Sequence, residues 1–249
     1  MSENKINLIL VSYLNTIPFI EGFRLHTGHR FNLIYKTPAD GTKMFFNGES
    51  DLALIPIGGL LDKGNYEVCT DFCIGCDGTV RTVGLFSKVP TEQIDTIYLD
   101  KDSRTSVLLV KVIFEAMGKK DIVWKEGIEN YFIDGNPKCG FLAIGDKVFD
   151  YELQFPYFFD LGGAWKKLFG LPFAFAVFVK NPTVDQSVID ELNLILASGI
   201  ENISTLTLNQ HTSIKDIKQY FTDNISYHFD EKKKLAMKIF EEKVGNLRL

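Results

Sequence analysis

The segment Leu99-Asp100-Lys101-Asp102-Ser103-Arg104-Thr105-Ser106-Val107 combines a strand end, a polar turn and the start of a strongly apolar helix. That is the local chemistry of an anion site. The first N–H groups of a helix lack partners within it and lie at the positive end of its dipole, so a carboxylate there gains charge-assisted hydrogen bonds. Hydroxyls of Ser103, Thr105 and Ser106 would add donors, with the Arg104 cation beside them. The plainer alternative is that Asp102 or Ser103 only caps the helix and Arg104 faces water.

Three other segments carry polar groups at the edges of apolar runs. Ser12-Tyr13-Leu14-Asn15-Thr16 follows the first apolar strand, at the carboxyl end where open α/β sheets place their ligands. Asn15 offers both donor and acceptor; the alternative is a turn capped by Asn15 or Thr16 ahead of Pro18. Gly75-Cys76-Asp77-Gly78-Thr79-Val80-Arg81-Thr82-Val83 puts Arg81 and Thr82 at a strand start after a glycine turn, where Arg81 is either a ligand contact or plain surface charge. Gly145-Asp146 closes the short strand Phe141 to Ile144.

Cys69, Cys73 and Cys76 have the C-x3-C-x2-C spacing that radical S-adenosylmethionine enzymes use to hold an iron–sulfur cluster. Gly75 stands where an aromatic usually precedes the last cysteine, and a free cysteine commonly packs as a small buried hydrophobe. The four histidines, His26, His29, His211 and His228, are scattered, which argues against a zinc site or a histidine base. No dinucleotide fingerprint, Walker loop or nucleophile elbow is present in the sequence.

The elements that must position these groups follow a parallel α/β pattern. Ile6 to Val11 reads as a buried strand, Pro18 lies near the start of a helix running to about Thr27, and Phe31 to Tyr35 is a second strand. Thr37-Pro38 starts a helix ending near Asn47-Gly48, and Asp51 to Pro56 is a third strand. Val80 to Ser87 and Ile94 to Leu99 are β-rich, separated by the breaker Lys88-Val89-Pro90. The helix from Ser103 presents Val107, Leu108, Val110, Val112, Ile113 and Phe114 as one broad apolar face. Phe173 to Val179 is an apolar return strand whose Phe173, Phe175 and Phe178 read as core. Four short helices fit the remainder, the last capped by Asp230. The expected organisation is two α/β lobes joined by two crossings, with ligand between them: 1–88 begins the first lobe, 89–174 forms the second, and 175–249 returns to the first.

At 249 residues, 45% apolar and 24% charged, the chain has ordinary globular composition. A net charge of −5 argues against a nucleic-acid or acidic-membrane partner, which would need a broad basic field. Any bound anion must then be met by local donors. No apolar run reaches the length of a membrane span, and the N-terminal run Leu8 to Val11 is too short for an export signal, so a soluble protein of the cytoplasm with reduced cysteines is expected. Oligomeric state is not encoded in any pattern visible here.

Taken in order, Val11-Ser12-Tyr13-Leu14-Asn15-Thr16-x-Pro18, Asp51 to Pro56, Cys73-Ile74-Gly75, Ser103 to Ser106, Ile144-Gly145-Asp146, Asp160-Leu161-Gly162-x-x-Trp165 and Gly170-Leu171-Pro172-Phe173 resemble the chorismate dehydratase family of the futalosine route to menaquinone. The likeness spans about residues 6 to 180. It implies a fold similar to type II periplasmic binding proteins, with the substrate in a cleft between two lobes and no metal or organic cofactor. It also implies loss of water from chorismate to give 3-[(1-carboxyvinyl)oxy]benzoate. The related cyclase of that pathway has another N-terminal signature and a catalytic histidine, neither of which is evident here. On this resemblance Asn15 and Thr82 are the catalytic candidates, and Ser12, Arg81, Ser103, Arg104, Thr105, Ser106, Gly145 and Asp146 contact substrate. Thr82 stands where the family usually has serine, which keeps the hydroxyl and adds a methyl. The rival from another class is a non-catalytic cytosolic binding protein or sensor for a small carboxylate.

Overall fold

A computed structural model describes residues 5–61, 63–100, 103–206 and 217–247. The expectations placed on Lys101, Asp102 and His211 lie outside the described residues. Contacts divide the chain into two units, Met1–Gly75 with Ala174–Glu231 and Cys76–Phe173 with Lys232–Leu249.

The first unit begins with β1 (Ile6–Val11), α1 (Ile17–Leu25), β2 (Phe31–Lys36), α2 (Pro38–Phe46), β3 (Leu52–Pro56), the single turn α3 (Ile57–Leu60) and the long β4 (Glu67–Cys76). Leu8 to Val11 are all buried, the uninterrupted apolar run that a parallel strand covered on both faces requires. Both early helices carry a proline in the first turn, where its missing N–H costs nothing, and the Thr37 hydroxyl caps α2 by accepting from the Asp40 N–H at 3.2 Å.

The second unit contains β5 (Val83–Ser87), β6 (Thr96–Leu99), α4 (Arg104–Ala116), β7 (Val123–Glu126), β8 (Cys139–Ile144), the short α5 (Val148–Tyr151), β9 (Tyr157–Asp160) and α6 (Leu161–Phe169). The chain then adds β10 (Phe173–Lys180), α7 (Gln186–Glu201), α8 (Ile217–Gln219) and β11 (Ser226–His228) to the first unit, and α9 (Glu231–Gly245) to the second. One sheet has the order β11-β4-β10-β3-β1-β2 and the other β7-β6-β8-β5-β9. In the first, β2, β1 and β3 are parallel and β10 runs against β3; in the second, β7, β6 and β8 are parallel and β5 is antiparallel to β8 and β9.

Several expectations change. The chain enters the second unit at Cys76, ahead of the Lys88-Val89-Pro90 breaker, because β5 is paired on both sides within the second sheet. A third crossing occurs after Glu231: the α9 ring of Phe240 packs edge-on to Phe173 at 5.3 Å and lies 6.3 Å from Trp165, all in the second unit. Residues 175–249 therefore do not all return to the first lobe. The region after Val179 holds a 16-residue helix, α7, and a strand, β11, where four short helices were expected. Strand β11 is only three residues long and irregular in register, too short to show a period. The Phe173, Phe175 and Phe178 rings are buried as expected.

Helix α1 is locked against α7 by two glycines. A Cβ on Gly22 would fall 2.0 Å from the Ile195 carbonyl oxygen, and one on Gly199 would fall 2.0 Å from that of Pro18. Backbone cannot yield as a flexible side chain does. Gly22→Ala should therefore cost about 1–3 kcal/mol, the range for overpacked interiors, measured as a lowered urea midpoint with an unchanged slope. Stability equal to wild type would show that the helices separate freely.

Candidate functional site

In the first unit, β1 ends at Val11 and the chain passes through one tight turn, Leu14–Thr16, into α1. The Thr16 hydroxyl lies 2.7 Å from the Val11 carbonyl and 2.6 Å from that of Tyr13, and Thr16 is fully buried. It shapes the turn. Asn15 is half-buried, and its carbonyl accepts the Tyr227 hydroxyl at 3.1 Å. Burial holds the Tyr227 phenol well above its ordinary pKa, which keeps it a donor. The backbone of Asn15 is thus pinned by β11, 212 residues away in sequence. Among the described residues, the Asn15 side-chain amide makes no hydrogen bond. Ser12 is exposed and lines an open depression of about 320 Å³ together with Tyr13, Lys36 and Thr37. Lys36, at the end of β2, was not singled out from sequence; a lysine at a strand end carries no pattern of its own.

In the second unit the turn before β5 is organised by one carboxylate. Asp160 Oδ1 accepts the Val80 N–H at 3.1 Å and the Gly163 N–H at 2.7 Å, and Oδ2 accepts the Arg81 N–H at 2.7 Å. Burial nevertheless raises the Asp160 pKa, with the backbone hydrogen bonds opposing that rise. Arg81 takes φ = 66°, a left-handed conformation unusual for a residue with a Cβ. Strand β5 consequently starts at Val83 and not at Val80. The Arg81 guanidinium meets Glu152 at 2.9 and 3.1 Å and lies 5.0 Å over the Phe149 ring, so it is neither a bare surface charge nor aimed only at a ligand. Thr82 is buried, and its carbonyl accepts the Gly145 N–H at 2.8 Å, which joins two of the expected site segments.

The helix-start segment resolves in part toward its plainer alternative. Ser103 Oγ accepts the Ser106 N–H at 3.2 Å and lies 2.9 Å from Ser106 Oγ, so Ser103 is the N-cap of α4. Thr105 and Ser106 are buried, while Arg104 is exposed. Asp100, buried at the end of β6, forms an ion pair with Lys147, two residues beyond the left-handed Gly145. That pair ties the end of β6 to the Gly145-Asp146 turn; neither partner was selected from sequence, because nothing local links residues 47 apart. Arg81, Thr82, Gly145 and Asp146, with the start of α4, belong to the second unit, and Ser12 and Asn15 to the first.

The cysteine triad does not assemble. All three residues lie on the extended strand β4, so Cys69 and Cys76 are about 23 Å apart at ~3.3 Å per residue, beyond the reach of one cluster. Cys69 Sγ lies 3.5 Å from the Phe178 carbonyl, and Cys73 Sγ lies 3.7 Å from the carbonyls of Ser226 and His228. These are packing contacts. Among the described residues no group of three His, Cys, Asp or Glu side chains is placed to hold a metal ion. No helix among them is long and apolar enough to cross a membrane.

Two α/β units, each built on a mixed sheet and exchanging chain three times, define the class. Solved structures of the same fold include a protein of Archaeoglobus fulgidus at TM-score 0.72 and 16% identity, covering 98% of each chain. A Candida albicans protein described as having the generic periplasmic binding protein fold matches at TM-score 0.71 and 11% identity, covering 98% of this chain and 91% of that one. The periplasmic aliphatic sulphonate binding protein of Escherichia coli matches at TM-score 0.64 and 11% identity, over 97% and 86%. The chain has the two-lobed periplasmic-binding-protein fold. Within that class, a family model described as menaquinone biosynthesis matches residues 6–246, and the chain belongs to that family. It is also 24% identical over 265 residues to the chorismate dehydratase of Thermus thermophilus, covering 95% of this chain and 94% of that protein.

Burial pushes the thiols of Cys69 and Cys76 up to about 12, so both stay protonated and unreactive at neutral pH. Iodoacetamide at pH 8 should leave both unmodified in the native protein and label all four cysteines in denaturant, read by mass spectrometry. Native labelling of Cys76 would show that β4 opens readily.

Proposed function

We propose that this protein is a chorismate dehydratase that makes 3-[(1-carboxyvinyl)oxy]benzoate and water, opening the futalosine route to menaquinone. Family membership over residues 6–246, with near full-length likeness to the Thermus thermophilus enzyme, carries the reading. The fold alone would serve a passive binding protein equally well.

The reaction removes the ring proton at the carbon bearing the enol ether and expels the neighbouring hydroxyl as water. Aromatisation drives it. The protein's task is to hold two carboxylates and to stabilise negative charge as it spreads into the ring carboxylate, work that preorganised neutral donors perform well in a water-poor site. Asn15 suits this role, because Thr16 ties the turn that carries it and Tyr227 holds its carbonyl, while its amide is uncommitted among the described residues. Thr82 supplies a hydroxyl at the start of β5, shielded from bulk water. Thr105 and Ser106, with the α4 N-terminus and the exposed Arg104, receive a substrate carboxylate. Ser103 acts mainly by capping, Gly145 by fixing the Thr82 carbonyl, and Ser12, Arg81 and Asp146 border the substrate. Four free cysteines suit a reducing compartment, and we place the protein in the cytoplasm.

Purified protein incubated with chorismate should yield the aromatic product by liquid chromatography; chorismate bound and returned unchanged would establish a sensor instead. Asn15→Ala should lower turnover by about 100-fold or more, the scale of losing one preorganised donor, with an unaltered thermal midpoint. Near-normal turnover would remove Asn15 from the mechanism. Thr105→Ala should mainly raise KM, whereas Ser103→Ala should cost about 1 kcal/mol of stability as a lost N-cap. Equal effects of the two on KM would refute that division of roles.

A further inference from the structure

We infer that Asp160 is a positioning residue for the reaction, acting through Thr82. This rests on the reading of Thr82 as a catalytic contact and adds the group that sets its place.

The carboxylate collects the N–H groups of Val80 and Arg81, the two residues immediately before Thr82, at 3.1 and 2.7 Å. Those bonds hold Arg81 at φ = 66°, and a left-handed residue at that point turns the chain so that Thr82 leads directly into β5. Asp160 is itself the last residue of β9 and pairs with Gly84 on β5, so the acceptor and the turn it grips share one sheet register. The grip is closed from the other side by Gly162, where a Cβ would fall 2.6 Å from Cys76 Sγ and 2.6 Å from the Gly78 carbonyl. The first turn of α6 therefore lies directly on the glycine turn that precedes Val80. Helix capping alone would need only the Gly163 N–H bond at 2.7 Å. The two additional bonds, to Val80 and to the strained Arg81 beside a site hydroxyl, are what a positioning role requires.

Asp160→Ser separates the two roles. Serine still caps α6 but is too short to bridge both turn N–H groups. We expect kcat for chorismate to fall at least tenfold and KM to stay within about threefold, with the protein still folded at a thermal midpoint lowered by the loss of the two turn hydrogen bonds. Asp160→Asn, which keeps the length and one acceptor oxygen, should recover part of kcat. In a double-mutant cycle with Thr82→Ala, Asp160→Ser should add no further loss, since a residue acting through Thr82 has nothing left to position. A folded Asp160→Ser protein with wild-type kcat would overturn the inference, as would losses that multiply in the double variant. Full turnover by Thr82→Ala alone would overturn the reading of Thr82 and the inference with it. If Asp160→Ser does not fold, the same cycle run with Asp160→Asn decides the matter.

Discussion

A carboxylate taken out of water must be met by donors or lose its charge, and in this protein the donors that meet Asp160 come from backbone. Two of its N–H partners belong to the Val80–Arg81 turn, and the others, Gly162 and Gly163, to the first turn of α6. The consequence reaches well beyond one bond. Arg81 is held left-handed, Thr82 is presented at the head of β5, and β5 lies between β8 and β9 in the second sheet. Gly84 and Gly162 are the spaces this arrangement needs: a Cβ on the first would meet the Phe158 ring at 2.4 Å, and one on the second the Gly78 carbonyl at 2.6 Å. The raised pKa of Asp160 records the tension, burial disfavouring the charge that the N–H groups favour.

The first unit solves the same problem without a charge. Thr16 ties the turn after β1 to the carbonyls of Val11 and Tyr13, and the Tyr227 hydroxyl reaches the Asn15 carbonyl from β11. The Tyr227 ring packs edge-on against Phe19 at 5.2 Å, so the group that pins Asn15 is itself part of the core. The Gly22 and Gly199 approach fixes α1 on α7, and α1 begins at the residue after Thr16. Rigid support for a small polar tip is what a site of neutral donors demands, because such donors stabilise charge only if they need not reorganise.

The fold and the chemistry are separable statements. The fold is shared with proteins of 11–16% identity, among them a sulphonate-binding protein, and says that two α/β lobes are present. The family match over residues 6–246 is a statement about sequence, and it brings menaquinone biosynthesis into view where the fold cannot. A net charge of −5 leaves the capture of an anionic substrate to local donors, and the Asp100–Lys147 pair brings the Gly145-Asp146 turn to the end of β6 just ahead of the α4 N-cap.

The amino-acid sequence by itself determined the elements whose reasons are local. The buried run of β1, the first-turn prolines of α1 and α2, the Thr37 and Ser103 caps and the apolar face of α4 all follow from residues within a few positions of one another. The ordered motifs likewise sufficed to pick out the family. Only the tertiary structure decided where the chain changes unit, because a crossing depends on which strands β5 and α9 find as neighbours and not on a breaker such as Lys88-Val89-Pro90. It dispersed the cysteine triad along an extended strand, since spacing in sequence becomes distance only once the backbone conformation is set. It also gave Asp160, Tyr227 and Lys147 their partners 79, 212 and 47 residues away. Such bonds leave no trace in periodicity or composition, for they exist only when two remote segments are brought side by side.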